Sequence, residues 1–289
     1  MLRKGRAKLL FATVSRRSDQ RWHITLNVEA EAMHPSMRHA DATAGAQVGI
    51  DRGLSTFAVV ADDKGAELAR IDSPRPLRSG LRELRIKCRS LTRKKLDSRN
   101  RRRARVRVAK AHARIAYVRR DFVHRESTRL AKTHGRLVIE DLCTIGLMRT
   151  SLARSVADSA WSLFATLLTY KARWYGATLV VADRFFPSTR TCSACGHVSD
   201  KLVLSVRTFH CSRCGHEADR DTNAAVNLAS YVSDVSAPGP GPHVAAKHAE
   251  TQNADGERRS DDAHPERRET TLDEVGRASA RRPRRAVST

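Results

Sequence analysis

Two Cys-x-x-Cys units, Cys192-Ser-Ala-Cys195 and Cys211-Ser-Arg-Cys214, stand 15 residues apart and restrict the fold of this chain more than any other feature. Each unit sets two thiolates about a tetrahedral edge apart, and one zinc ion closes four of them. Gly196 and Gly215 follow the two units and allow the tight turn behind each second thiolate. Two disulfides or a redox pair are the alternatives. Without a secretion signal disulfides are disfavoured, and two matched units at this spacing favour one structural zinc site. His197, His210 and His216 lie nearby, but four cysteines already complete the shell, so the histidines are expected to be bystanders. Cys88 and Cys143 are expected to be buried small hydrophobes.

The charge is the second constraint. The chain of 289 residues carries 54 Lys+Arg against 31 Asp+Glu, a net +23. Residues 75–136 hold 23 basic and 4 acidic side chains, so 23 − 4 = +19 sits in 62 residues. A polyanion is the expected partner of such a block. No run approaches the roughly 18 apolar residues of a membrane span. The basic start (Arg3, Lys4, Arg6, Lys8) leads into an apolar run of six residues, shorter than a signal-peptide core of about 7–15. A cytoplasmic, nucleoid-associated prokaryotic protein with no membrane partner is therefore expected. Residues 236–289 carry 10 basic and 9 acidic residues, include Pro238-Gly-Pro-Gly-Pro242 near their start and are poor in large apolar residues. Such a tail cannot bury enough surface to offset chain ordering, and disorder is expected there.

Periodicity supplies an α/β class. Trp22, Ile24, Leu26 and Val28 alternate with polar residues as in a half-buried strand, and residues 8–29 are expected to form a hairpin. Residues 33–45 are a polar linker. Val48-Gly49-Ile50-Asp51 is a buried strand, residues 56–60 a second, Leu137-Val138-Ile139-Glu140 a third and residues 178–181 a fourth. Residues 78–130 carry apolar residues at helical spacing (Leu77, Leu81, Leu84, Cys88, then Val108, Ala111, Ile115, Val118, Phe122) and predict two long basic helices broken near 97–100. Like charges at i,i+4 repel unless an anion neutralises them, so nucleic-acid contact is favoured over a merely solvated face. The candidates are Arg85, Arg89, Arg93, Lys94, Lys95, Arg99, Arg101, Arg102, Arg103, Arg105, Arg107, Lys110 and Arg114. The aromatic stripe from Trp161 to Tyr175 predicts a core helix ending at Gly176. Strands, a long helical insert, then strand–helix–strand make an α/β protein.

Three acids stand where isolated acids are costly. Asp51 and Glu140 end apolar strands, and Asp221 precedes an apolar helical turn. Clustered carboxylates resist ionising unless divalent cations bind them. Hard oxygen ligands suit Mg²⁺ or Mn²⁺, and two such ions can activate a water and stabilise the leaving oxygen in phosphodiester hydrolysis. Taken singly, each acid is better explained as a turn residue or a helix cap. Together, beside a basic arm, they point to a metal site.

These residues resemble, in order, the RuvC-like nuclease of the TnpB (OrfB) family of transposon-encoded proteins, relatives and inferred ancestors of the type V CRISPR effectors. The motifs are residues 48–54 (Val-Gly-Ile-Asp-Arg-Gly-Leu), 139–142 (Ile-Glu-Asp-Leu), 186–196 (Phe-Pro-Ser-Thr-Arg-Thr-Cys-Ser-Ala-Cys-Gly), 211–215 (Cys-Ser-Arg-Cys-Gly) and 219–228 (Asp-Arg-Asp-Thr-Asn-Ala-Ala-Val-Asn-Leu). The resemblance covers about residues 8–232. It implies an RNase H-like (RuvC) nuclease domain with a long basic helical insertion and an inserted zinc ribbon. It implies an RNA guide transcribed from the transposon end, and cleavage of matching DNA. By position it assigns Asp51, Glu140 and Asp221 as the catalytic, magnesium-binding acids. Asp219 competes for the third role, but the family places the acid before the x-Asn-Ala-Ala run. Cys192, Cys195, Cys211 and Cys214 would hold zinc, and the basic helices would line a channel for guide–target heteroduplex, read by its backbone.

The implied organisation is a partial β-barrel remnant and linker over residues 1–45, a first RuvC-like segment over 46–75, and the basic insertion over 76–135. A second RuvC-like segment spans 136–187, the zinc ribbon 188–217, a third RuvC-like segment 218–233, and the disordered tail 234–289. Family members usually carry more than a hundred residues before the first acid. Only 50 precede Asp51 here, so either a natural short form or a truncated copy, keeping the last hairpin of the barrel, is expected. A metal-dependent, RNA-guided DNA endonuclease is the leading expectation. A non-catalytic nucleic-acid-binding remnant is the second. A strand-transferring transposase has less support, since nothing suggests a second DNA-end site.

Overall fold

The computed structural model describes residues 7–30, 47–200, 203 and 205–232. The linker expected at 33–45 and the tail expected from residue 234 lie outside the described residues. The N-terminal hairpin is as expected: β1 (Ala7–Arg16) pairs antiparallel with β2 (Trp22–Ala30), with a register shift between Leu9 and Phe11. Its alternating side chains are not half-buried, however. Trp22 and Ile24 are 66% and 67% exposed, and Leu9, Val14 and Leu26 are exposed with them. Two strands make one ladder, and the described residues lay no second layer over that face. Through the opposite face His23 reaches the arm, with Nε2 3.2 Å from the Tyr117 hydroxyl.

The central sheet begins as an antiparallel meander of β3 (Gln47–Arg52), β4 (Thr56–Asp62) and β5 (Glu67–Asp72). Beyond β3, β6 (Arg136–Glu140) and β7 (Thr178–Ala182) add in parallel, giving the order β5-β4-β3-β6-β7. Successive strand residues point to opposite faces, and this decides where the acids go. Val48, Ile50, Leu137 and Ile139 face one core, closed by Val123 and Leu130 and by Phe164, Leu167 and Leu168. The first two of these closing residues lie on α2 (Arg99–Thr133), which follows α1 (Pro76–Thr92), and the other three on α5 (Trp161–Tyr175). Phe57 of β4 meets Phe122 and Phe164 edge-on, with ring centroids 4.9 and 5.1 Å away. Each such fully buried large side chain contributes about 1.5–3 kcal/mol.

The opposite face is covered by α6 (Arg220–Ala229). Ala225 and Val226 pack on Val59 and Ala61, and Leu228 packs on Val138 and Ala182. A sheet lies between helices on both sides.

The basic segment forms the two expected helices, broken between Thr92 and Arg99, where the Ser98 hydroxyl accepts from Arg101 N at 3.1 Å. Leu84, Ala111 and Ile115 hold α1 to α2, with Leu77, Cys88 and Val108 around them. Val118 departs from the expected stripe and is exposed. It falls where α2 passes from this small cluster to the main core at Val123. Two short helices, α3 (Thr144–Leu147) and α4 (Ala153–Ser159), follow β6. Buried Asp158 of α4 accepts from Leu77 N and Arg78 N at 2.9 and 3.1 Å, capping α1 from a distance. Cys143 is exposed rather than buried, because it sits on the loop entering α3, while Cys88 is half-buried.

One buried amine joins the two helices of the main core. Lys171 of α5 donates to the His124 carbonyl at 2.7 Å and to the Ser127 and Thr128 hydroxyls at 2.9 Å each. Burial pushes its pKa down to about 8.

Candidate active site and metal centre

Asp51 and Glu140 leave the sheet on the face that α6 covers, since they alternate with Ile50 and Ile139. Ile50 and Ile139 are register partners, so the next residue on each strand brings the two acids to one level at the same sheet edge. Asp221 arrives from the first turn of α6. Burial pushes the Asp51 carboxyl well above the usual aspartate range. The charges of Glu140 and Asp221 push it the same way, against an opposing pull from Arg52 and Arg220. The structure thus brings Glu140 and Asp221 within electrostatic reach of Asp51, but the three carboxylates do not converge as tightly as the cysteine sulfurs do. A carboxyl held so reluctant to ionise fits a place where cationic charge is to be bound.

Asp219 has other work. It caps α6, accepting from Asp221 N and Thr222 N at 3.1 Å each, and it pairs with Arg70 of β5 at 3.0 Å. Arg70 also binds the Thr222 hydroxyl at 3.0 Å. The cap and the Arg70 pair pin the helix start beside the sheet, leaving Asp221 as the acid turned toward Asp51.

Three supporting side chains have no role in the sequence reading, although each stands inside one of its motifs. Arg52, on the opposite face from Asp51, donates to the Glu140 carbonyl and ties the ends of β3 and β6 together. Its guanidinium is buried, which pushes its pKa down to about 10 against the nearby charges of Glu140, Asp51 and Asp141. Ser188, also buried, donates its hydroxyl to Glu140 Oε1 at 2.5 Å. Asn227 of α6 then holds the Ser188 carbonyl at 2.7 Å. An i,i+4 pair of asparagines on an otherwise small and apolar helix was the available clue to Asn227 and its neighbour Asn223.

The cysteine units form near-identical knuckles. Cys192 N donates to the His197 carbonyl at 2.8 Å, and Cys211 N to the His216 carbonyl at 2.9 Å. Gly196 and Gly215 take φ of 71° and 74°, the left-handed region that glycine adopts without strain. All four Sγ atoms lie within 4.8 Å of one another, with Cys192–Cys214 and Cys195–Cys211 each at 3.7 Å. Among the described residues this is the one group of His, Cys, Asp or Glu whose ligand atoms converge in this way. Backbone N–H groups of Cys214 and Arg213 hold the Cys211 thiol down to about 6. Four converging sulfurs fit a structural zinc ion. The nearby histidines stay outside this cluster: His216 meets the Ser193 hydroxyl at 3.3 Å, and His210 lies 3.9 Å from Glu217.

The ribbon is fastened to the acid-bearing helix. Its short strands β8 (Thr208–His210) and β9 (Glu217–Asp219) lead directly into α6. Asn223 of α6 accepts from Ser193 N at 3.0 Å and donates to the Thr191 carbonyl at 2.8 Å, and Asn227 reaches the same carbonyl at 2.6 Å.

With this geometry in view, the OrfB_IS605 family model, described as "Probable transposase", matches residues 23–151. The model described as "Cas12f1-like, TNB domain" matches residues 161–228. The chain belongs to the TnpB (OrfB) family. One relative of this TnpB-family chain, from Mycobacterium tuberculosis (strain CDC 1551 / Oshkosh), bears a name proposing an RNA-guided DNA endonuclease. It is 36% identical over 83% of this chain and 52% of its own length. A relative in Streptomyces pristinaespiralis, named in the same way, is 39% identical over 79% of this chain and 54% of its own. The chain thus spans about half the length of the curated relatives it matches. A CRISPR-Cas12f ternary complex solved by cryo-EM aligns with a TM-score of 0.48 and 18% identity, over 79% of this chain and 46% of that one.

The TnpB-family arm presents its basic side chains outward. Arg85, Arg89, Arg93, Lys94, Lys95, Arg99, Arg102, Arg103, Arg105, Arg107, Lys110 and Arg114 are all exposed. Arg101 differs. It is half-buried and donates to the Leu91 and Lys94 carbonyls at 3.3 and 3.2 Å, closing the end of α1. No described helix is long and apolar enough to cross a membrane.

Proposed function

We propose that this chain is the nuclease part of a transposon-encoded, metal-dependent, RNA-guided DNA endonuclease. The observation that carries this reading is the placement of the acids: Asp51 and Glu140 each follow the Ile50–Ile139 register pair, and Asp221 stands in the first turn of the helix that covers that face. Asp51, Glu140 and Asp221 would together hold two Mg²⁺ or Mn²⁺ ions, which would supply an activated water and stabilise the leaving oxygen of a phosphodiester. The acids themselves bind and orient, and Ser188 fixes the rotamer of Glu140. The strand order β5-β4-β3-β6-β7, with three antiparallel strands followed by two parallel ones, supports an RNase H-like reading. The four-cysteine cluster would be a zinc ribbon inserted before the third acid. The exposed arm would bind the guide RNA and target DNA through their phosphates.

The names of the relatives support the same reading at the level of the family. One observation favours a second reading, in which the chain binds nucleic acid without cutting it: the exposed cations of the arm need no carboxylate site to bind phosphates. The deciding experiment is guided cleavage of a matching DNA duplex with Mg²⁺ present. Cutting that disappears in Asp51→Ala supports the nuclease. Guide binding with no cutting, unchanged by Glu140→Gln, supports the second reading.

A further inference from the structure

Among the described residues Phe185 is the most exposed of the large apolar side chains, at 86%. A single exposed apolar residue is ordinary on a loose loop, but this one stands on a turn fixed from both sides. Asp183 Oδ1 accepts from Phe185 N at 2.8 Å, and Asp183 N donates to the Tyr231 hydroxyl at 3.3 Å. Arg184 reaches Asp141 Oδ2 through Nε and Nη2 at 3.0 and 2.5 Å. Phe186 turns inward and meets Tyr231 edge-on, with centroids 4.9 Å apart. The chain holds both neighbours of Phe185 and leaves its ring in solvent.

The location gives this ring a use. Ala182 is the register partner of Glu140, so the turn leaves the sheet at the edge where β3 and β6 end in Asp51 and Glu140. Three residues beyond Phe185, Ser188 binds the Glu140 carboxylate. A strand led to these acids passes a rigid aromatic ring. Every nucleobase offers a π-face, and stacking on an aromatic side chain tolerates any sequence.

We propose that Phe185 is a stacking subsite for one nucleobase of an unpaired strand bound at the carboxylate site. This rests on the nucleic-acid reading of that site, though not on its cutting. A neutral ring neutralises no phosphate, so its contribution to affinity is independent of salt, whereas each arm cation contributes to the salt slope.

The test uses the full chain, without added Mg²⁺, and single-stranded DNA carrying 2-aminopurine at successive positions. Stacking quenches the fluorescence of this base. In the wild-type protein one position is expected to be quenched. Phe185→Ala is expected to abolish that quenching and weaken binding about tenfold, leaving the slope of log affinity against log salt unchanged. Phe185→Trp is expected to restore both, while Arg105→Ala lowers the slope and keeps the quenching. Equal binding and quenching in Phe185→Ala overturns the proposal. So does equal loss in the Ala and Trp variants, or a Phe185-dependent change in sedimentation without DNA, which would assign the ring to a protein contact. A wild-type protein that binds no strand removes the nucleic-acid reading itself. A wild-type protein that binds without dependence on Phe185 removes the subsite alone.

Discussion

A Cβ added at Gly49 would lie 2.0 Å from the Ala225 carbonyl oxygen and 2.4 Å from Ala229 N, so the middle of β3 touches the backbone of α6. Only a residue without a side chain permits this approach, and Ala224 and Ala225 keep the facing helix equally slim. The close contact is what brings Asp221 over Asp51.

Gly49→Ala is therefore expected to displace α6, because backbone cannot move aside as a flexible side chain does. Overpacking of this kind costs about 1–3 kcal/mol and occasionally more. Urea unfolding should show a loss near the top of that range, and under the proposed nuclease reading the folded fraction should cut DNA poorly. A variant as stable as wild type would mean that the helix and strand are looser than described.

Ser188→Ala removes a hydrogen bond to a carboxylate, an interaction of about 1.5–3 kcal/mol. Glu140 would then be free to rotate away from Asp51. Mn²⁺ binding followed by electron paramagnetic resonance should weaken about tenfold, and the urea midpoint should fall with the lost bond. Unchanged Mn²⁺ affinity would mean that Ser188 serves the turn and not the acid.

Emission spectrometry should find one zinc per chain, lost in Cys211→Ser. A chelator should expose the amides of residues 191–216 to hydrogen exchange while those of β3 and β6 stay protected, since the sheet has its own core. Asn223→Ala leaves Thr191 O with one partner fewer and Ser193 N with none from that side chain. It should speed zinc release and also loosen the first turn of α6.

Lys171 makes stability depend on pH. Its folded pKa, about 8, lies below the ordinary lysine value of about 10.4. Between these values the unfolded chain binds more protons than the folded one, so stability rises as pH increases through that window. Below pH 8 the buried charge exerts its full cost. Urea titrations from pH 7 to 10 should show wild type gaining on Lys171→Met as pH rises. A constant difference would mean that the amine is solvated.

Much of the candidate site was legible because its parts are local. The acids end apolar runs, and each cysteine pair with its glycine is a self-contained turn. What holds those parts together was not legible. Arg52 reaches the Glu140 carbonyl across 88 residues and Ser188 reaches its carboxylate across 48, and neither pairing leaves a periodic trace in the sequence. Strand β5 was missed because Glu67-Leu-Ala-Arg-Ile-Asp lies on the sheet edge and mixes exposed with buried positions. The hairpin was found, but its exposure was not foreseen: alternation shows which face is apolar, and only the fold shows whether anything lies against it.

The placement of α6 also sets an order of events during synthesis. Its partners in the sheet, β3 and β6, are made long before it, yet Asp221 reaches Asp51 only when α6 settles over Gly49. A polypeptide still emerging from the ribosome carries its complete basic arm for the 88 residues from Thr133 to Asp221 before the carboxylate cluster can close. For that interval the nascent chain displays its exposed cations without the third acid beside Asp51, so the charged arm precedes the complete carboxylate site.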